Sequence, residues 1–470
     1  MAIGTVIEPL VVIVLLFGGT WINRLRDAPR SYYIEPSSRS PTRDEASNCS
    51  PSSVERGPLA QNLSSHSEAH LTRSPSASLL PQQERRWRAR EIGVGSWRRE
   101  LTTPNTAIFR NRRFSRLLRR FPFLIECWYW TLIYWTYQLA RAFTAVTFQE
   151  ETVDVARKHA LQVITLEEEL HIAWEVDIQQ YFLRHPLLMT WTNRLYSFIH
   201  IPGTIAFLVW LYYYTTTLNR VEEPQPVFLG ESACDSPAGP ALYRARRRTM
   251  AVCNLLAFVV FTLWPCMPPR LLSDPSVEGS VGELSRSYGF IDTVHGEGGS
   301  GSVWTRNRFC NQYAAMPSLH FGYALMIGLT VMTIPLRCRK CCSPSMAHPM
   351  FKTSNPDRAT VFQLPCWRRV VCITVGFLYP FCILAAIIAT ANHFILDAVA
   401  GAIVCGLAWW GNSVLLNLLP IEDLFLRSLR IHKPELRVVE YCSSPYIDSD
   451  DDAAIHELML KPWEIQPVAP

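Results

Sequence analysis

Three features of this 470-residue chain point to an all-α, polytopic membrane helical bundle. Apolar residues gather into blocks of about twenty, the length an α-helix needs to cross a bilayer core. Clusters of arginine fall in alternate loops between those blocks, as the basic loops of a membrane protein do. The long stretches outside the blocks are too rich in Ser, Pro and Arg to build a soluble core. Length alone would suggest two or three soluble domains, but the blockwise distribution argues against them.

The blocks lie near 3–22, 123–144, 196–217, 250–269, 319–336, 370–391 and 393–419. Val370 to Thr390 carries no charge at all, and a soluble buried helix rarely runs so long without a polar face. The first block has no positive leader and no clear small-residue cleavage site, and Arg24, Arg26 and Arg30 follow it. A retained anchor is therefore expected rather than a cleaved signal peptide. The expected organisation is an N-terminal anchor at 1–22, a disordered basic cytoplasmic linker at 23–121, a six-span domain at 122–419 and a cytoplasmic tail at 420–470. An acidic run in that tail, Asp448 to Asp452, reads as solvated chain.

With seven spans, the basic clusters FRNRRFSRLLRR, YRARRR, RCRKCC and CWRRV, and the group Arg427, Arg430 and Lys433, share one side. The positive-inside rule makes that side cytoplasmic. The exit of the fourth span, the entry of the fifth and the joint between the sixth and seventh then meet on the lumenal or extracellular face. Two sequons, at Asn48 and Asn62, fall in the linker and are expected to remain unmodified; a glycan on either would overturn this topology.

The fourteen cysteines show no disulfide framework. Cys266 and Cys310 lie on the lumenal side as an open pairing, and Cys338, Cys341 and Cys342 read as palmitoylated or as plain thiols. Between Ala160 and Phe182, apolar residues at 163, 166, 170, 174, 178 and 181 predict one helix with an acidic opposite face. It is too polar to span and is expected to lie on the lumenal interface or to pack on the bundle.

The chemistry is concentrated in two stretches. His393 and Asp397 are four apart, so a helix puts them on one face. A carboxylate there can bind one imidazole nitrogen, fix the tautomer and leave the other nitrogen nucleophilic. The pair alone reads equally as helix capping or a satisfied core contact. Pro317 and Ser318 suit a helix start, with Ser318 as cap, and a helix N-terminus suits an oxyanion. His320 stands in that first turn, where it would sit beside a bound phosphate and protonate a departing alkoxide. A lone histidine at a membrane boundary is more often interfacial; three such groups on one face are harder to dismiss.

AAMPSLHFGYA and ANHFILDAVAG resemble the second and third signature motifs of the phosphatidic acid phosphatase type 2 / haloperoxidase-like superfamily. WPCMPPRLL and the segment from Glu167 to Gly203 are similar to the branch that contains inositol phosphorylceramide synthase and related inositolphosphotransferases. The resemblance covers roughly 125–415. It implies a six-span catalytic core with His393 as nucleophile, forming a phosphohistidine, Asp397 raising its nucleophilicity and His320 as general acid. The superfamily's first motif, a lysine followed by Arg-Pro, is absent, and the arginine expected before the third-motif histidine would fall at Ile387. Headgroup-transferring branches also lack that arginine.

Phosphoryl transfer needs cationic ligands for the phosphate. Arg270 is the first choice, with a snorkelling interfacial arginine as the alternative. Arg306 and Arg308 precede the second motif in a loop containing GEGGSGS and are further candidates. His200 reads either as bordering the site or as packing. The implied mechanism needs no metal or other cofactor.

The expected activity is transfer of an inositol-phosphate-like headgroup from a phospholipid donor to a lipid alcohol acceptor such as ceramide. A lipid phosphatase is the alternative, with water as acceptor, and a non-catalytic scaffold is a third reading from another class. Nucleic acid is not an expected partner, because the arginines are spread through juxtamembrane loops. The expected location is an endomembrane, Golgi or endoplasmic reticulum, with a lumenal site, or the plasma membrane.

Overall fold

The computed structural model describes residues 4–25, 86–147, 151–196, 200–219, 238–293, 313–336 and 366–434. The sequons, the GEGGSGS loop with Arg306, Arg308 and Cys310, the cysteines at 338, 341 and 342, most of the expected linker and the acidic run lie outside the described residues.

Helix dominates. In chain order it comprises α1 (Gly4–Ile22), α2 (Arg113–Arg120), α3 (Phe123–Thr147), α4 (Glu151–Glu169), α5 (Glu175–Arg184), α6 (Pro186–Arg194) and α7 (His200–Tyr212). Then follow α8 (Pro240–Leu263), α9 (Ser280–Ser287), α10 (Leu319–Thr333), α11 (Trp367–Ala389), α12 (Ile395–Gly411) and α13 (Leu419–Ser428). Proline at the first position starts α6 and α8, where its missing N–H costs nothing. Every apolar block of the sequence contains a helix. Among the described residues, two helical stretches are long and apolar enough to cross a membrane, Trp367–Ala389 and Ile395–Ser428. Their outward faces are apolar, with Phe377, Phe381, Ile403 and Trp410 all exposed.

In the largest of three core clusters, Phe123 of α3, Leu211 and Tyr212 of α7, Tyr243 and Cys253 of α8, Met326 of α10 and Cys405 of α12 are buried together. Glycines let the helices approach. A Cβ on Gly328 of α10 would collide with the Gly376 carbonyl of α11, and one on Gly401 of α12 would collide with the Ser318 carbonyl.

Helix α2 lies in the expected linker and α13 in the expected tail, the YRARRR cluster expected in a loop lies inside α8, and two further parts differ more sharply. Within the stretch expected to be unstructured, Trp87–Val94 (β1) and Trp97–Pro104 (β2) pair as an antiparallel hairpin in register Val94↔Trp97 to Trp87↔Pro104. Its two-residue turn has Gly95 at φ 62°, a conformation that glycine adopts without strain. The hairpin is held by α13 and the turn before it. Arg90 donates twice to Asp423, at 2.8 and 3.1 Å, Thr103 Oγ1 donates to the same carboxylate at 2.8 Å, and Gly93 exchanges hydrogen bonds with the Asn417 amide. Arginine content obscured a segment whose order comes from tertiary pairing.

The helix expected over 160–182 is two helices, because α4 stops in a Schellman-type turn. His171 adopts φ 58°, its N–H donates to Glu168 O, and Ile172 N–H donates to Glu167 O. The predicted faces are also partly exchanged. Leu166, Leu170, Trp174 and Tyr181 are exposed, whereas Glu167, Glu175 and Gln179 are buried.

Candidate active site

Three loops are knitted together by main-chain hydrogen bonds. The loop after α8 meets the loop before α10 in a parallel bridge, with Cys266 N–H donating to Tyr313 O and Ala315 N–H to Cys266 O, both at 3.0 Å. Arg270 N–H donates to Ala391 O in the loop between α11 and α12, and Ser318 N–H donates to Asp397 O in α12, both at 2.9 Å. The residues at 266–270, 313–320 and 390–397 therefore share one end of the bundle.

The α11–α12 loop is short and strained. Ala391 takes φ 50°, in the left-handed region, and the turn closes with Ala391 N–H on Ile388 O and Asn392 N–H on Ile387 O. That turn delivers His393 into the protein, where it is 6% exposed. Its Nδ1 lies 2.8 Å from the Ala315 carbonyl and 3.5 Å from Asp397 Oδ2. A carbonyl can only accept, so Nδ1 carries the proton and the Nε2 lone pair is left available. The tautomer is thus set by a backbone carbonyl, a partner without any mark in the amino-acid sequence. Asp397 is 0% exposed; its Oδ2 accepts from Phe394 N–H at 2.9 Å, so it caps α12 while standing beside the imidazole.

His320 occupies the first turn of α10, with its ring centroid 5.6 Å from that of His393. On its other side are Tyr196 at 4.7 Å and His200 at 5.2 Å between centroids, and His200 Nδ1 lies 3.0 Å from the Tyr379 hydroxyl. His200 is thus buried against His320. Ser318, fully buried, is the α10 cap, its Oγ accepting from Phe321 N–H at 3.4 Å.

Arg270 is buried at 7% exposure. Its Nε donates to Asn392 Oδ1 at 2.9 Å and its Nη1 to Asp292 Oδ2 at 3.2 Å, which fixes the guanidinium next to the residue preceding His393. Asn392 and Asp292 were not singled out by sequence reasoning. Neither were Glu167 and Glu175 as site neighbours: Glu175 Oε1 accepts from Ile395 N–H at 3.0 Å and Glu167 Oε1 from Leu396 N–H at 2.7 Å. Their only signal was acidity on the face opposite an apolar stripe.

The chain is therefore a mostly helical protein that gathers two histidines, an aspartate and a buried arginine at one end of a bundle with two candidate membrane-crossing helices. The family model described as PAP2 superfamily matches residues 161–221, 238–346 and 359–411, a range that includes every one of those groups, and over those residues the chain is similar to that superfamily. That superfamily is one of phosphatases and phosphotransferases, consistent with an enzyme acting on lipid phosphates. Family and candidate spans together suggest a membrane protein. No curated protein and no solved structure matches the chain.

Proposed function

We propose that the protein is a six-span integral membrane phosphotransferase, working at the lumenal face of an endomembrane through a phosphohistidine on His393. His393 Nε2 attacks the phosphorus of a phospholipid, and the bond to the diacylglycerol oxygen breaks. His320 gives its proton to that departing oxygen. A lipid alcohol such as ceramide then loses its hydroxyl proton to His320 and attacks, the P–N bond breaks, and the headgroup phosphate is transferred.

The observation that carries the reading is the Nδ1 contact with the Ala315 carbonyl. It leaves Nε2 free on the ring that neighbours His320, with Asp397 placed to stabilise the imidazolium charge. Arg270 is the proposed phosphate ligand. Its side chain is already oriented by Asn392 and Asp292, so ordering it on binding costs little. Ser318 and the α10 N-terminus are proposed to face the phosphate oxygens, and the arginines at 306 and 308 are further candidate ligands.

The test is purified full-length protein in mixed micelles with headgroup-labelled phosphatidylinositol and ceramide, alongside His393→Ala. Label moving to the second lipid with wild type alone is the expected result. Phosphate released from phosphatidic acid in a parallel assay, with no transfer to lipid, makes the protein a phosphatase instead. Equal activity of mutant and wild type removes the histidine mechanism.

A further inference from the structure

The N-terminus of α12 is closed by three carboxyl groups from three elements. The N–H groups of Phe394, Ile395 and Leu396 donate respectively to Asp397, to Glu175 of α5 and to Glu167 of α4. A helix leaves its first N–H groups without internal partners, and one side chain usually satisfies one of them. Here successive residues are each given an acceptor, and two of the acceptors come from more than two hundred residues away. Glu167 and Glu175 are 1% and 3% exposed, so water does not substitute for them.

We propose that Glu167 and Glu175 are positioning residues for the phosphoryl-transfer site: as a proton-sharing pair they anchor the start of α12 and so hold His393 and Asp397 against the α10 loop. This rests on the reading of His393 as nucleophile. Two carboxylates cannot hydrogen-bond each other, and Glu167 Oε2 is buried with no donor. One proton on the pair removes that conflict and leaves a single negative charge facing the helix N-terminus, which the helix dipole favours. Burial, and after it the neighbouring Glu175 carboxyl, raise the Glu167 carboxyl well above the ordinary carboxylate range, against a lowering by Leu396 N–H. The titratable groups facing it are Glu175, Asp397 and the Cys266 thiol. Loss of the shared proton at high pH would set charges against one another under the turn that presents His393.

The experiment compares wild type, Glu167→Gln, Glu167→Ala and His393→Ala, full length and reconstituted, in the phosphatidylinositol–ceramide and phosphatidic acid assays across pH. Glutamine keeps an acceptor for Leu396 N–H and can donate to Glu175, but cannot ionise. It is expected to hold near wild-type kcat at neutral pH and to move the alkaline limb of the kcat profile upward. Alanine is expected to lower kcat about 10- to 100-fold with KM within about twofold, as a small misplacement of a reacting group does. An alkaline limb shared by Glu167→Gln and wild type, or an unchanged kcat in the alanine variant, overturns the proposal while an inactive His393→Ala keeps the nucleophile assignment. If the alanine variant fails to fold, the glutamine pH profile alone decides. Activity in His393→Ala would instead sink the underlying mechanism.

Discussion

The two ends of the bundle handle charge in opposite ways. At the end carrying His393, Glu167, Glu175 and Asp397 are buried and bind backbone N–H groups, the loops are joined main chain to main chain, and Arg270 with Asp292 forms a side-chain ion pair beside them. At the end carrying the hairpin and α13, side chains pair with side chains: Arg90 with Asp423, Arg247 with Glu126, Lys433 with Glu422 at 2.8 Å. Eleven arginines against two glutamates between 86 and 120 give that end surplus cations. A backbone partner cannot change rotamer, so the first end is geometrically determined. The second is a set of side-chain ion pairs, whose partners can change rotamer.

The largest expected effect is on activity at the buried end. His320→Gln and Asp397→Asn should each lower phosphotransfer by about 10²- to 10⁴-fold, the usual worth of a positioned proton-transfer group. The fold should persist; a rate within about threefold of wild type would show that the buried end is merely structural. Gly401→Ala comes next. Its Cβ meets the Ser318 carbonyl, and overpacking of this kind costs ~1–3 kcal/mol, readable as a lower Tm together with lost activity.

Asp423→Ala at the other end removes the carboxylate that Arg90 and Thr103 share and should cost about 1–2 kcal/mol, with activity per folded molecule unchanged. If activity fell as steeply as for Gly401→Ala, the two ends would be coupled. A smaller effect concerns pH. The raised Glu167 carboxyl stabilises the fold in its protonated form, so its contribution is full below the ordinary carboxylate range and is lost as pH rises through its higher folded value. Thermal stability measured at rising pH should decline less in Glu167→Gln than in wild type. Smallest is Ala391→Gly, which relieves a left-handed alanine and should change stability by under about 1 kcal/mol, upward if strain outweighs added chain entropy.

Helix positions were legible because α3, α7, α8, α10, α11 and α12 overlap the apolar runs, although α8 begins ten residues early and takes in the basic YRARRR cluster. His320, His393 and Asp397 were legible as residue types at motif spacing, and the structure brings them to one end. The hairpin escaped notice because both its faces carry arginine, although Val94-Gly95-Ser96-Trp97 is a two-residue turn signal flanked by apolar residues. The split between α4 and α5 was hidden for a different reason. The apolar stripe is real but most of it, Leu166, Leu170, Trp174 and Tyr181, faces outward, and the buried Glu167 and Glu175 find their partners in N–H groups of a helix far along the chain. Periodicity reports amphipathicity, not which side of it is inside. The carbonyl of Ala315, which sets the His393 tautomer, has no sequence signature, since every residue has one.

The bridge between Cys266 and Ala314 bears on how such a site can diverge. Because the loops are sewn together through peptide groups, the register of residues 266–270, 313–318 and 391–397 does not depend on which side chains they carry. Point substitutions in these loops can change side-chain chemistry while the backbone that carries His320 and His393 keeps its place. The scaffold thereby separates variable side chains from a fixed frame, so divergence can proceed one residue at a time.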